Sequence, residues 1–398
     1  MGYVQQCSGV VSLTMLAGLA ACEAHGVVGS NVSVGGVEET TEGSVSPSST
    51  GGSAPDTTGA DTSDIGLEST TGELDDGVDT TDGFIFDVGS GVSPEVCLAP
   101  HVSSCDRDSD DPWHALGLNC PGSIPVEVTY LGHPGAMVVH AGTLGSHGNF
   151  SAREGEKMVI LSTGKATEVP RPPEDLGCSD TQVCPSTALD PFAVHDALPP
   201  PIDVAAVDPG STCAVRPELI GLGDCSNTLE QAWAAGDGAH DYAEIRIKAT
   251  VPPGANAFAY RFAFFSAEYP QWVIDDVPWN DMYVAWLESE AWTGNISFDP
   301  VGNPISTRGV FLELFDANSP LCDANPCVAP ELHGFAMQGH AGTRWLETIA
   351  PVVEGEDIEI VFALFDLSDA LVDTVVLLDD VHWGCTDQPP ITITPPAG

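Results

Sequence analysis

Positive charge is what this chain has least of. Only 11 Lys and Arg stand against 58 Asp and Glu in 398 residues, and before Arg107 there is no Lys or Arg at all. That opening segment carries 16 acids, so it contributes -16 of the formal -47, and the remaining -31 falls on the rest of the chain. Such a field repels phosphate, whose binding depends on Lys and Arg displacing counterions, and nucleic-acid partners are excluded. Long apolar runs are lacking too. The longest near the start, Val10 to Ala21, has 12 residues, short of the about 20 that cross a bilayer but suited to the core of a signal peptide. H-E-x-x-H, G-x-S-x-G and a phosphate-binding glycine loop are all absent, which removes the common zinc protease, serine hydrolase and nucleotide-binding signatures. No cysteine spacing is C-x-x-C, so a thiolate metal site is disfavoured.

What is present begins with the small residues Leu19-Ala20-Ala21 before Cys22. This spacing resembles a bacterial lipoprotein signal, and the resemblance implies cleavage after residue 21, lipidation of Cys22 and a membrane partner reached through the lipid anchor. Glu23 follows the lipidated cysteine, and the absence of Asp there favours the outer membrane or cell surface of a Gram-negative-type bacterium. The n-region departs from that pattern in having no Lys or Arg. Residues 22–92 are dominated by Ser, Thr, Gly, Asp and Glu. With so little apolar surface to offset chain entropy, this stretch is expected to be a disordered acidic tether reaching on the order of 45 Å.

Residues 93–398 read as one all-β domain. Phe258, Tyr260, Phe262 and Phe264 alternate with smaller or polar residues, which puts the aromatics on one face of a strand. The same period marks 126–130, 158–161, 243–251, 282–286, 295–298, 358–365 and 374–381, while helix signals are confined to 112–116 and 229–235. A jelly-roll-like β-sandwich with long disulfide-stapled loops is expected, with 170–225 mostly insertion. Ten cysteines in this part suit an exported, oxidised domain. Position suggests Cys178 with Cys184, Cys213 with Cys225, Cys322 with Cys327 and Cys97 with Cys105, leaving Cys120 with Cys385.

Phe262-Ala263-Phe264-Phe265-Ser266-Ala267-Glu268-Tyr269-Pro270, followed by Asn280-Asp281-Met282-Tyr283-Val284, resembles the signature of the bacterial "choice-of-anchor L" surface domains. Ile160 to Gly164, Thr343 to Leu346 and Val361 to Trp383 extend the likeness over most of 113–385. The resemblance implies a surface location and a β fold, and it brings no activity with it.

Three groups of residues could carry chemistry. Glu268, Asp275, Asp276, Asn280 and Asp281 gather hard oxygen ligands around one turn, as Ca²⁺ requires. A second acidic group, Asp366, Asp369, Asp373, Asp379 and Asp380, is expected at the same end of the sandwich, where the two would share a site. Asp106, Asp108 and Asp110 imitate the first half of an EF-hand loop, although Asp111 and Gly117 replace its Gly and bidentate Glu. The bland alternative for all of them is that Asp and Asn shape turns and cap amides. Tyr269, Trp272 and Trp279 stand beside the first group as exposed aromatics whose rings could stack on a glycan or contact a surface protein, the bland alternative being that Trp272 and Trp279 are loop core buried beneath the turn. The leading expectation is a lipid-anchored binding or adhesion module, not an enzyme, with Ca²⁺ as its ion. The alternatives are a carbohydrate-active hydrolase pairing Glu268 with Asp281, and a purely structural envelope protein.

Overall fold

The computed structural model describes residues 97–177, 196–273, 280–316 and 327–395. The signal, Cys22 and tether expectations therefore lie outside the described residues, as do Asp275, Asp276, Trp279, Cys178, Cys184 and Cys322. Within them the chain is an antiparallel β-sandwich. One sheet runs Glu127–Leu131, Ala239–Thr250, Asp357–Leu367, Met282–Glu288, Ile305–Ser306, with Thr293–Asn295 beside Met282–Glu288. The facing sheet runs Leu314–Phe315, Ala341–Gly342, Ala257–Ser266, Thr374–Gly384, Lys157–Ser162, Met137–Ala141, with Leu346–Pro351 and Ile391–Ile393 joined to its Ala257–Ser266 strand. Long strands that follow each other in the chain pass from one sheet to the other, as Ala239–Thr250 to Ala257–Ser266 and Asp357–Leu367 to Thr374–Gly384 do.

The aromatic face expected from the sequence is the core. Phe258, Tyr260, Phe262 and Phe264 meet Ile245, Ile247, Tyr283, Ile360 and Phe362 between the sheets, and the Tyr260 and Phe362 rings lie 4.5 Å apart. The strands are not half-wet, however. Phe265, Ile160 and Leu377 point outward from the second sheet and are buried under a loop carrying Leu332, Phe335 and Trp345. Val284, Trp286 and Phe365 point outward from the first sheet and are covered by Leu198, Ile202, Leu229 and the Glu230–Ala234 helix. The insertion after residue 170 thus supplies a lid for an apolar outer face. This is why both faces of the central strands are apolar, a pattern that antiparallel sheets with one wet face do not show.

Cys213–Cys225 is bonded as expected. The other described pairings correct the sequence reading, because Cys97 joins Cys385 and Cys105 joins Cys120. Cys97 lies on the segment that runs alongside Gly254, next to the end of the Thr374–Gly384 strand, so it meets Cys385 across the fold and not its near neighbour in sequence. Cys327 is also disulfide-bonded.

Two irregularities set the strand ends apart from the regular ladders between them. The Asp357–Leu367 strand shifts register against Ala239–Thr250 between Leu364 and Asp366. The Thr374–Gly384 strand shifts against Ala257–Ser266 between Asp379 and His382, with Asp380 at a φ of 53°. Bulges of this kind re-aim side chains, and a left-handed non-glycine residue is held there only by its surroundings.

Candidate functional site

The acids that gather at one tip of the sandwich come from five strand ends. Asp281 immediately precedes Met282–Glu288, Asp366 ends Asp357–Leu367, Asp373 precedes Thr374–Gly384 and Asp241 opens Ala239–Thr250. Glu268 stands two residues beyond Ala257–Ser266. Pairing of Ser266 with Thr374 and of Asp366 with His240 brings these ends together. Glu268, Asp281 and Asp366 are 1%, 1% and 2% exposed, a depth at which carboxylates are ordinarily paired with a cation. Among the described residues none of the three has an ion-pair partner.

Each acid is satisfied only in part. Asp281 Oδ1 accepts the Leu367 amide at 3.2 Å, and its Oδ2 accepts the Thr374 hydroxyl, with Ser266 Oγ at 3.5 Å. Glu268 is held through its backbone, whose amide donates to Ser266 Oγ at 3.1 Å, while its Oε2 is buried with no hydrogen-bond partner. Asp366 Oδ1 is likewise buried without one. Burial, and then the neighbouring Asp281 and Asp369 carboxylates, push the Glu268 carboxyl far above its ordinary range. Asp281 is raised by burial and by Asp369 in spite of its donors. Asp366 is raised by burial and by Asp281, Asp373 and Asp241. Two non-glycine residues at this tip, Asp241 and Ser368, have φ of 47° and 84°, so backbone strain accompanies the crowded charge.

The set is rich in hard oxygen donors. It offers several carboxylates and two buried oxygens without hydrogen-bond partners, Glu268 Oε2 and Asp366 Oδ1, and hard oxygens of this kind are the donors Ca²⁺ takes. Among the described residues, no three His, Cys, Asp or Glu side chains already converge as metal ligands. Ion binding would therefore require the carboxylates to rotate toward one centre. Asp369, at the half-exposed mouth, accepts the Leu371 amide at 3.0 Å.

The remaining expected residues are placed differently. Asn280 Oδ1 accepts the Thr307 hydroxyl at 2.8 Å, so it fastens the neighbouring strand. Asp379 and Asp380 do not share the tip. They lie five and six residues along the strand from Thr374, about 17 Å or more away at about 3.3 Å per residue. Asp379 caps the amides of Arg153, Glu154 and Asp380, and Asp380 pairs with Arg261 and His382. The EF-hand imitation is a capped turn. Asp106 is buried and accepts the Glu156 and Lys157 amides at 2.8 and 2.6 Å, Asp110 pairs with Lys157 at 2.9 Å, and Asp108 is exposed. Asp111 caps the Pro112–Ala115 helix by accepting the Trp113 amide. Tyr269 is 1% exposed with its ring 4.9 Å from Phe315, which corrects the expectation of an open aromatic platform. Trp272 alone of the described aromatics at this turn is exposed, at 38%.

Asp241 was not singled out in the sequence, and no local pattern marks it, since its membership depends on strand pairing. Asp299 was also unmarked, and it is a structural cap that accepts the amides of Val301, Asn303 and Val310. Comparison with protein-family models, with curated proteins and with solved structures finds no match to this chain in any of the three.

Proposed function

We propose that the chain is an exported, lipid-anchored cell-surface module whose sandwich tip binds Ca²⁺ through Glu268, Asp281 and Asp366, with Asp369, Asp373 and Asp241 around them. The observation that carries this reading is the pair of buried carboxylate oxygens without hydrogen-bond partners, Glu268 Oε2 and Asp366 Oδ1, on residues that lie among other carboxylates. Leaving such groups unpaired costs about 1–3 kcal/mol each or more, and an ion recovers that cost. Anchoring through Cys22 and the family resemblance supply the surface location, and three described disulfides suit an oxidising compartment. The ion would order the turn that carries Trp272, whose amide donates to the Glu268 carbonyl, and so present that ring to a surface ligand such as a glycan. Burial of Glu268 and Asp281 keeps both from a glycosidic bond, which favours binding over hydrolysis.

Thermal unfolding of the oxidised protein in Ca²⁺ and in excess chelator tests the ion. At a free concentration about 100 times the dissociation constant, the native state gains about 2.7 kcal/mol, and Asp366→Asn loses most of that gain. An unchanged melting temperature would overturn the proposal. Incorporation of a radiolabelled fatty acid, lost in Cys22→Ser, tests the anchor separately.

A further inference from the structure

Well along the sheet from the acidic tip, a cavity of about 260 Å³ opens between the two sheets. Its walls include Leu118, Ile247, Phe258 and Trp383, and the last two rings meet edge to face at 5.8 Å. Its polar side is formed by Glu154, Arg261, Asp380 and His382.

The rim is built to stay fixed. Pro100 to Val102 lie between Cys97 and Cys105, Gly117 to Ile124 flank Cys120, and Trp383 precedes Cys385 by two residues, so both staples, Cys97–Cys385 and Cys105–Cys120, close around this one opening. The third wall is the bulge at Asp380. Its following residue, Val381, donates to the Leu116 carbonyl at 2.9 Å, and a Cβ on Gly117 would come within 3.2 Å of the Val381 carbonyl, so the short helix closes on the bulge through a glycine. A covalently braced cavity with a strained residue at its polar side is preorganised for a ligand, which lowers the ordering cost of binding.

Charge selects the ligand. Arg261 is divided between Glu347 at 3.1 Å and Asp380 at 3.2 Å, and His382 Nδ1 lies 3.2 Å from the other Asp380 oxygen. Neither cation is left to receive an anion, and the third basic group, His101, stands exposed at the mouth. Glu154 is the group with capacity to spare. Ser104 lies against its carboxyl, yet Oε2 is buried with no hydrogen-bond partner. An ammonium group would supply both the missing donor and the missing charge, and the aromatic walls would take an apolar body and favour a nearby cation.

We propose that this cavity is a second ligand site, for a small organic amine with an apolar or aromatic body, whose ammonium pairs with Glu154 while its body lies against Phe258 and Trp383. The site is separate from the cation tip and does not depend on it.

Titration calorimetry of the oxidised, full chain with phenethylamine as the probe, against phenylacetate and 2-phenylethanol of the same ring and length, tests the assignment. Phenethylamine is expected to bind, with 2-phenylethanol weaker and phenylacetate silent. Glu154→Gln should weaken phenethylamine by about tenfold or more, the size of a lost charge-assisted hydrogen bond, whereas Asp366→Asn should leave it unchanged. No heat from phenethylamine, or equal binding of phenylacetate, overturns the proposal on the unaltered protein. Unchanged affinity in a folded Glu154→Gln variant overturns the role of that residue and with it the amine class.

Discussion

The two acidic regions of the domain, the Asp106 turn and the Glu268 tip, bury carboxylates equally deeply and treat them in opposite ways. Asp106 is 1% exposed and receives two backbone amides and the Ser104 hydroxyl, within a loop closed by Cys105–Cys120. Glu268 is also 1% exposed, but its carboxylate has a partnerless oxygen and lies among other acids. Depth alone therefore does not say what a buried acid is for. The donors around it do, since a carboxylate that accepts amides is a structural cap, while one left among like charges is waiting for a counter-charge or a proton.

The largest effect should come from the stapled region. Replacing Cys97 and Cys385 with Ser opens a covalent link across 288 residues, and loop entropy puts the loss at about 5 kcal/mol, measurable by denaturant unfolding and the same with or without Ca²⁺. Next is Asp106→Ala, which strands the Glu156 and Lys157 amides and should cost about 3 kcal/mol, again with no Ca²⁺ dependence. If that variant instead lost a Ca²⁺ response, the division between the two regions would fail. Glu268→Gln should go the other way in chelator, raising stability by about 1 kcal/mol because Gln has no charge to bury among acids, while reducing the Ca²⁺-induced shift. A fall in chelator would mean that Glu268 is a cap like Asp106.

The gentlest test is pH. A carboxyl raised in the folded state holds its proton there more tightly than the unfolded chain does, so the native state binds more protons and stability declines as pH rises from the ordinary carboxylate range toward the raised folded value. Glu268, Asp281 and Asp366 are all raised. The melting temperature in chelator should therefore decline between about pH 5 and 9, and saturating Ca²⁺ should flatten the decline. A flat profile in chelator would remove the electrostatic contrast.

Much of the sandwich was legible because period-two alternation in 257–264 exposes its packing face directly. The outward burial of Phe265, Trp286 and Leu377 was not, since nothing local announces that loops 196–233 and 330–345 will fold back over the sheets. At the tip, Glu268 and Asp281 stood out because they flank strands within one short stretch of sequence. Their company was misjudged, because Asp366 and Asp380 look alike in sequence and only strand register sends one to the tip and the other to Arg261. Cys213–Cys225 was legible for the opposite reason to Cys97–Cys385, being local, while the latter depends on where two distant strand ends meet.

The two bulges have a consequence for how such a domain can change. Each inserts one step into an alternation of period two, so the side-chain parity on its far side is set independently of the parity that fills the core. The extra residue lies in Ala239–Thr250 in one case, where Asp241 has a φ of 47°, and in Thr374–Gly384 in the other, ahead of His382. The start of Ala239–Thr250 and the end of Thr374–Gly384 are thereby out of phase with the rest of their own strands, and substitutions that retune either end need not propagate into the aromatic layer. The sandwich is in this sense modular along its strands as well as between its loops.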